Sequence, residues 1–164
     1  MDCKKILVAI DGSENSIRAI SYVGQVLRSK EDFLIKLLYI ERLPDRDLFS
    51  DDVSWKQRCV ELRTEMRDFI SDARDILESH GIPDQCLSDR YVQSCKSPFA
   101  DRPETHCSHG TSIAQEILSI LKEEGFGTVV VGRRGVSKAE EFLFGSVSSK
   151  IIHHAKGCSV WVVA

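Results

Sequence analysis

The chain has 164 residues, enough for one domain with a sizeable core. Hydrophobic residues make up 42% and charged residues 29%, the balance of an ordinary globular protein. The net charge of −3 gives no electrostatic ground for binding nucleic acid or an anionic membrane, and no apolar run approaches the roughly 18 residues of a membrane span.

Met1-Asp2-Cys3-Lys4-Lys5 lead directly into a strand, with no signal-peptide pattern, so a cytoplasmic location is expected. Lys5 to Ile10 is a short apolar run that reads as a buried strand. Asp11-Gly12 breaks it, and Ser13 is placed to cap a helix in which Ile17, Ile20, Val23, Val26 and Leu27 recur at helical spacing. Phe33 to Ile40 reads as a second strand, and Glu41 to about Asp52 as a loop. Trp55, Cys59, Leu62, Met66, Phe69, Ala73 and Ile76 step by three and four, the pattern of a long amphipathic helix. Gly81-Ile82-Pro83 stops it.

Leu87 to about Ser94 is a weaker, more polar strand, and Cys95 to His109 reads as a long exposed loop. Ser112-Ile113-Ala114-Gln115 fits a capping box opening a third helix, with Ile113, Ile117, Ile120 and Leu121 on one face. The apolar run Thr128 to Val131 is a fourth strand, Val147, Ile151 and Ala155 mark a short helix, and Ser159 to Val163 is a last strand. Strands alternating with helices predict a single α/β domain over residues 1–164 with a mostly parallel sheet. No internal repeat is evident. In such sheets ligands sit beyond the C-terminal strand ends, which is where Asp11 and Gly132 fall.

The fourth strand runs into Gly132-x2-Gly135-x9-Gly145-Ser146, and a helical pattern follows. Glycines allow close backbone approach, and a helix start offers unpaired N–H donors, so the segment reads as a phosphate cradle or as a plain βα turn. It is neither a Walker A loop nor a dinucleotide fingerprint. Arg133 and Arg134 lie between the first two glycines, where they either screen phosphate charge or are solvated, and Lys138 has the same two readings. Glu140 and Glu141 oppose an anion and are expected to point away, while Phe142, Leu143 and Phe144 read as apolar anchors.

This pattern, together with Ile6-Leu7-Val8-Ala9-Ile10-Asp11-Gly12-Ser13-Glu14 and Gly145-Ser146-Val147-Ser148, resembles the ATP-binding branch of the universal stress protein family from Lys4 to Val163. The resemblance implies an open five-stranded parallel sheet of order 3-2-1-4-5 with helices on both faces. It implies ATP as ligand, with Mg2+ or Mn2+ accompanying it. Gly132, Gly135, Gly145, Ser146, Val147 and Ser148 would line the triphosphate and ribose, with Arg133 as a further candidate. Asp11 would lie near the metal–phosphate group, and Ala9, Ile10, Ile40 and Val131 would flank the base. It implies a homodimer through the last strand, covering Trp161. The competing reading packs Trp161 on Ile151 or Ala155 of its own chain. Three features depart from the family pattern: the long loop Cys95 to His109, Gly127 before the fourth strand, and Ser159 opening the fifth.

No base is evident near the glycine loop. His153 and His154 read as helix-end residues, so binding with little or no turnover is expected. Two other classes compete: an interaction module of this fold without nucleotide, and a slow ATPase. The cluster Cys95, His106, Cys107 and His109 matches no zinc spacing and reads as part of an exposed insertion. The six cysteines, at positions 3, 59, 86, 95, 107 and 158, contain no CxxC pair and are expected to be reduced thiols.

Overall fold

The computed structural model describes residues 1–28, 30–99, 107–110, 112–134 and 144–164. Five strands, β1 (Asp2–Ile10), β2 (Leu34–Ile40), β3 (Leu87–Val92), β4 (Phe126–Gly132) and β5 (Ser159–Val163), form one sheet. All neighbours are parallel, in the order β3-β2-β1-β4-β5. Helices α1 (Glu14–Val26) and α2 (Asp52–Ser79) cover one face; α3 (Ile113–Glu123) and α4 (Ser146–His154) cover the other. The central strands are apolar on both sides because both faces are covered. Ile6, Val8, Ile10 and Val130 pack toward α1 and α2. Leu7, Val129 and Val131 pack toward α3 and α4.

Local chemistry accounts for most element ends. Ser13 caps α1 by accepting from the Ser16 N–H at 3.3 Å. The buried face of α1 is Ser16, Ala19, Ile20, Val23 and Gly24, whereas Ile17 and Val26, expected in the apolar stripe, are exposed. They flank the stripe at its two margins, so one helix face cannot bury them together with Ile20 and Val23. The expected capping box at Ser112 is also absent: Ser112 makes no side-chain cap bond. Outside the helix start, the Ser108 hydroxyl donates to Glu116 Oε1 at 2.7 Å, tying the first turn of α3 to the bridge after β3.

β1 begins three residues earlier than its apolar run, because the Asp2 N–H donates to the Gly125 carbonyl at 2.9 Å and Asp2 pairs with Phe126. Gly127 is required by this pairing. A Cβ there would lie 2.4 Å from the Asp2 carbonyl oxygen, so an acid at this position would break the start of the β1–β4 ladder.

The expectation of six reduced thiols is corrected. Cys95 and Cys107 form a disulfide with Cα atoms 5.0 Å apart. The cause is a parallel bridge between Ser94 and Ser108: Cys95 N–H donates to the Ser108 carbonyl at 2.8 Å, and Ser108 N–H to the Gln93 carbonyl at 2.7 Å. The base of the long loop is therefore an ordered extension of β3, with Ser94, Ser97 and Ser108 buried, rather than a solvated insertion. Cys59 on α2 and Cys86 in the core beneath it are both buried, as small hydrophobes.

Candidate functional site

A cleft of about 530 Å³ opens at the C-terminal edge of the sheet. Two strands floor it: β1 through Ala9 and Ile10, with Asp11 just after it, and β2 through Leu38, Tyr39 and Ile40. Val131 and Gly132 of β4 close one side. Ile113 and Ile117 of α3 line it from one face of the sheet, and Leu62, Met66 and Phe69 of α2 from the other. The result is an apolar slot bounded by parallel strand ends, the general location and size for a small flat ligand in an open α/β sheet.

The polar end of the cleft is the start of α4. Gly145 is its N-cap and makes no side-chain cap bond, so among the described residues no side chain satisfies the first N–H groups of α4. Gly145, Ser146, Val147 and Ser148 all line the cleft. A partial positive charge and backbone N–H donors therefore face the cavity, an arrangement suited to an anion. Two bonds hold the turn in place: Gly145 N–H donates to the Arg133 carbonyl at 2.8 Å, and the buried Ser148 hydroxyl donates to the same carbonyl at 2.8 Å. Ser148 thus acts as a clasp between β4 and α4, while the exposed Ser146 presents its hydroxyl at the helix start.

Asp11 organises the opposite corner. Its Oδ1 accepts from the Ser16 hydroxyl at 2.7 Å and from the Ser13 N–H at 3.1 Å. The Asp11 N–H donates to Ser16 Oγ at 3.0 Å. These bonds bind the turn after β1 to the first turn of α1. Gly132 is demanded by the same corner: a Cβ there would lie 2.8 Å from Asn15 Cβ. The first glycine of the pattern therefore serves the packing of α1 on β4 as well as bordering the cleft.

Most of the residues expected at the site converge on this cleft, namely Ala9, Ile10, Asp11, Ile40, Val131, Gly132, Gly145, Ser146, Val147 and Ser148. Arg133 does not line it; its neighbour Arg134 does. Arg133 is held by its backbone, with its N–H donating to the Val163 carbonyl at 2.6 Å, and the chain turns so that the next side chain borders the cavity. Gly135, Lys138, Glu140, Glu141, Phe142, Leu143 and His106 lie outside the described residues. Phe144, expected as an anchor, is exposed.

Sequence reasoning missed two features. One is the wall supplied by α2, although its signal was present: Leu62, Met66 and Phe69 belong to the same stripe that predicts the helix. The other is Glu41, buried at the end of β2. Its carboxylate accepts from the Tyr91 hydroxyl at 2.9 Å and from the Ser94 N–H at 2.8 Å. Burial and the Glu41 acceptor push the Tyr91 phenol far above its usual range, and burial pushes Tyr39 up. Both rings, 5.0 Å apart, therefore remain neutral. Among the described residues no cluster of three His, Cys, Asp or Glu side chains could hold a metal by itself, and Cys95 and Cys107 are consumed in their disulfide. No helix among them is long and apolar enough to cross a membrane.

Comparison with known proteins places this arrangement. A Bacillus subtilis (strain 168) protein, "Universal stress protein YxiE", is 28% identical over 162 residues, covering 97% of each chain. The solved structure of hypothetical protein MJ0577 superimposes with a TM-score of 0.71 at 21% identity, covering 99% of this chain and 96% of that one. The universal stress protein from Archaeoglobus fulgidus, solved in complex with dAMP, gives a TM-score of 0.61 at 17% identity, covering 98% and 97%. The profile of the universal stress protein family matches residues 3–164. With the family profile covering nearly the whole chain, the protein belongs to the universal stress protein family.

Proposed function

We propose that the cleft binds an adenine nucleotide, with ATP as the ligand, and that the protein is a stress-response regulator whose conformation or assembly follows nucleotide occupancy. The observation that carries this reading is the uncapped start of α4 opening onto an apolar slot at the strand ends. The slot between Ile40 and Val131 has the flat, apolar character that suits a purine, and the α4 N–H groups with Arg134 suit its phosphates. The dAMP complex of the A. fulgidus relative supports the same chemistry. The residues fit an accompanying Mg2+ or Mn2+ modestly: Asp11 would hold it, with oxygen donors from the phosphates completing the set.

Turnover is slow or absent in this reading. The carboxylates bordering the cleft are already engaged, Asp11 in its turn and Glu65 with Arg58 at 2.8 Å. His153 and His154 are exposed on the last turn of α4, and neither lines the cleft. The protein is further proposed to form a homodimer through β5, an edge strand whose residues are half-buried or exposed.

A thermal melt tests the reading. At ligand about 100-fold above Kd, binding stabilises by about 2.7 kcal/mol, which raises Tm by roughly 5–10 °C for a chain of this size. Gly145→Val should abolish the rise by filling the space before α4. Ser146→Ala should weaken binding about tenfold, the loss of one hydrogen bond to a charged group. No rise with ATP, ADP or AMP plus Mg2+ would refute it.

A further inference from the structure

Outside the cleft, a groove of about 450 Å³ runs between α2 and the last residues of β3. Its helical wall carries Arg63, Arg67 and Arg74, three guanidinium groups on one side of α2, with Ile70 between them. Its strand wall carries Asp89, Tyr91 and Gln93, alternate residues that share one face of β3 and its extension.

The pairing of α2's arginines is uneven. Arg58 is held by Glu61 and Glu65, and Arg74 by Asp84 and Asp89. Among the described residues, Arg63 and Arg67 have no carboxylate partner. Arg63 instead lies over the Phe99 ring at 5.4 Å, a cation–π contact. Gln93 Nε2 is buried at the groove and has no hydrogen-bond partner. A buried donor without an acceptor is costly, and native structures seldom leave one. Two unmatched cations and an orphaned amide donor thus border one small cavity. Arg74 with Asp84 and Asp89 carries a net charge of −1, so with Arg63 and Arg67 the group keeps a net charge of +1.

We propose that this groove is a second binding site, for a dianionic oxyanion: phosphate, free or as a phosphomonoester. The chemistry is that of forked guanidinium recognition, in which two arginines grip the oxygens and the Gln93 amide satisfies a third. The Tyr91 ring and Ile70 supply an apolar floor for whatever the phosphate is attached to. The inference is independent of the nucleotide reading, since the groove shares no lining residue with the cleft.

The test follows the Gln93 side-chain amide and the Arg63 and Arg67 Nε–H signals by nitrogen-15 NMR on the whole chain. Inorganic phosphate and phosphoserine are the two probes, each against sodium chloride at matched ionic strength. The expected result is a saturable shift at Gln93, half-complete at about 1 mM or below. It should weaken at least tenfold in Arg67→Glu, an exposed position that should leave the fold intact. It should persist in Gly145→Val. Tighter binding of phosphoserine identifies the ester as the natural form, and binding of phosphate alone identifies the free anion. No saturable Gln93 shift with either probe up to about 20 mM, or an equal shift in Arg67→Glu, overturns the proposal. Shifts confined to the amides of Ser146 to Ser148 would also overturn it, because they report the cleft.

Discussion

Glu41 sits where β2 ends, β3 ends and the disulfide-bearing extension begins, and its two carboxylate oxygens serve one partner each, Tyr91 and the Ser94 N–H. Its removal strands both donors in a buried corner. Glu41→Ala is therefore expected to destabilise the protein by roughly 2–4 kcal/mol, measured as a lower urea midpoint at constant slope. A loss below about 0.5 kcal/mol would show that the two donors find water instead. At this scale the sequence was only partly legible. Asp11, Gly145 and Ser146 stood out through the family resemblance, since by themselves a glycine, a short carboxylate and a hydroxyl at strand and helix ends are ordinary turn and cap residues. Arg133 and Arg134 could not be told apart, since both follow the end of β4 and the direction of each side chain depends on the turn. Glu41 followed an apolar strand like any first loop residue, and only the arrival of Tyr91 and Ser94 from β3 makes its burial possible.

The elements were legible wherever burial is two-sided. β4 appears as an apolar run, and α2 as a stripe at helical spacing, because covered sheets and core-facing helices impose those patterns, while the half-buried edge strand β5 is apolar as well. The start of β1 was hidden, since Asp2, Cys3 and Lys4 are exposed and polar although they extend the strand. The Cys95–Cys107 bond was hidden for a different reason: it depends on the bridge between Ser94 and Ser108, a tertiary pairing with no local signature. A charge cluster between elements yields a pH prediction. Burial raises the Glu124 pKa, but hydrogen bonds and charges from Lys36 and Arg90 outweigh it, leaving the carboxyl below its ordinary value. A carboxyl lowered by folding stabilises the protein fully above its unfolded pKa, and that stabilisation is lost as pH falls through the folded value. Glu124→Gln should cost roughly 1–2 kcal/mol at pH 7, between exposed and buried ion pairs. It should also flatten the decline in stability between about pH 5 and pH 3. Urea titrations at the two pH values check this, and an unchanged acid slope would contradict it.

For the whole molecule, the alternation of strands and helices was enough to specify a parallel α/β sheet, but not which strands are neighbours. The order 3-2-1-4-5 came from the family resemblance, and the observed sheet has that order. Assembly belongs to the same scale. Trp161 does not pack on Ile151 or Ala155, as the monomeric alternative held; it meets Tyr22 of α1 edge-on at 5.9 Å, across the opposite face of the sheet. Trp161 is still only half-buried, and among the described residues no strand pairs with the outer edge of β5. The proposed dimer would pair two such edges. Light scattering should give twice the chain mass of 18.5 kDa at high micromolar concentration, reverting to the monomer when Val160→Pro removes an edge donor; a monomeric mass throughout would contradict it. The central claim, that the sheet edge and the start of α4 form a nucleotide site, is tested most directly by isothermal titration calorimetry of the purified chain with ATP and Mg2+. The account predicts one site per chain with Kd on the order of micromolar, about −8 kcal/mol, lost in Gly145→Val with the melting temperature of the free protein unchanged. No heat with ATP, ADP or AMP, or equal binding by Gly145→Val, would contradict it.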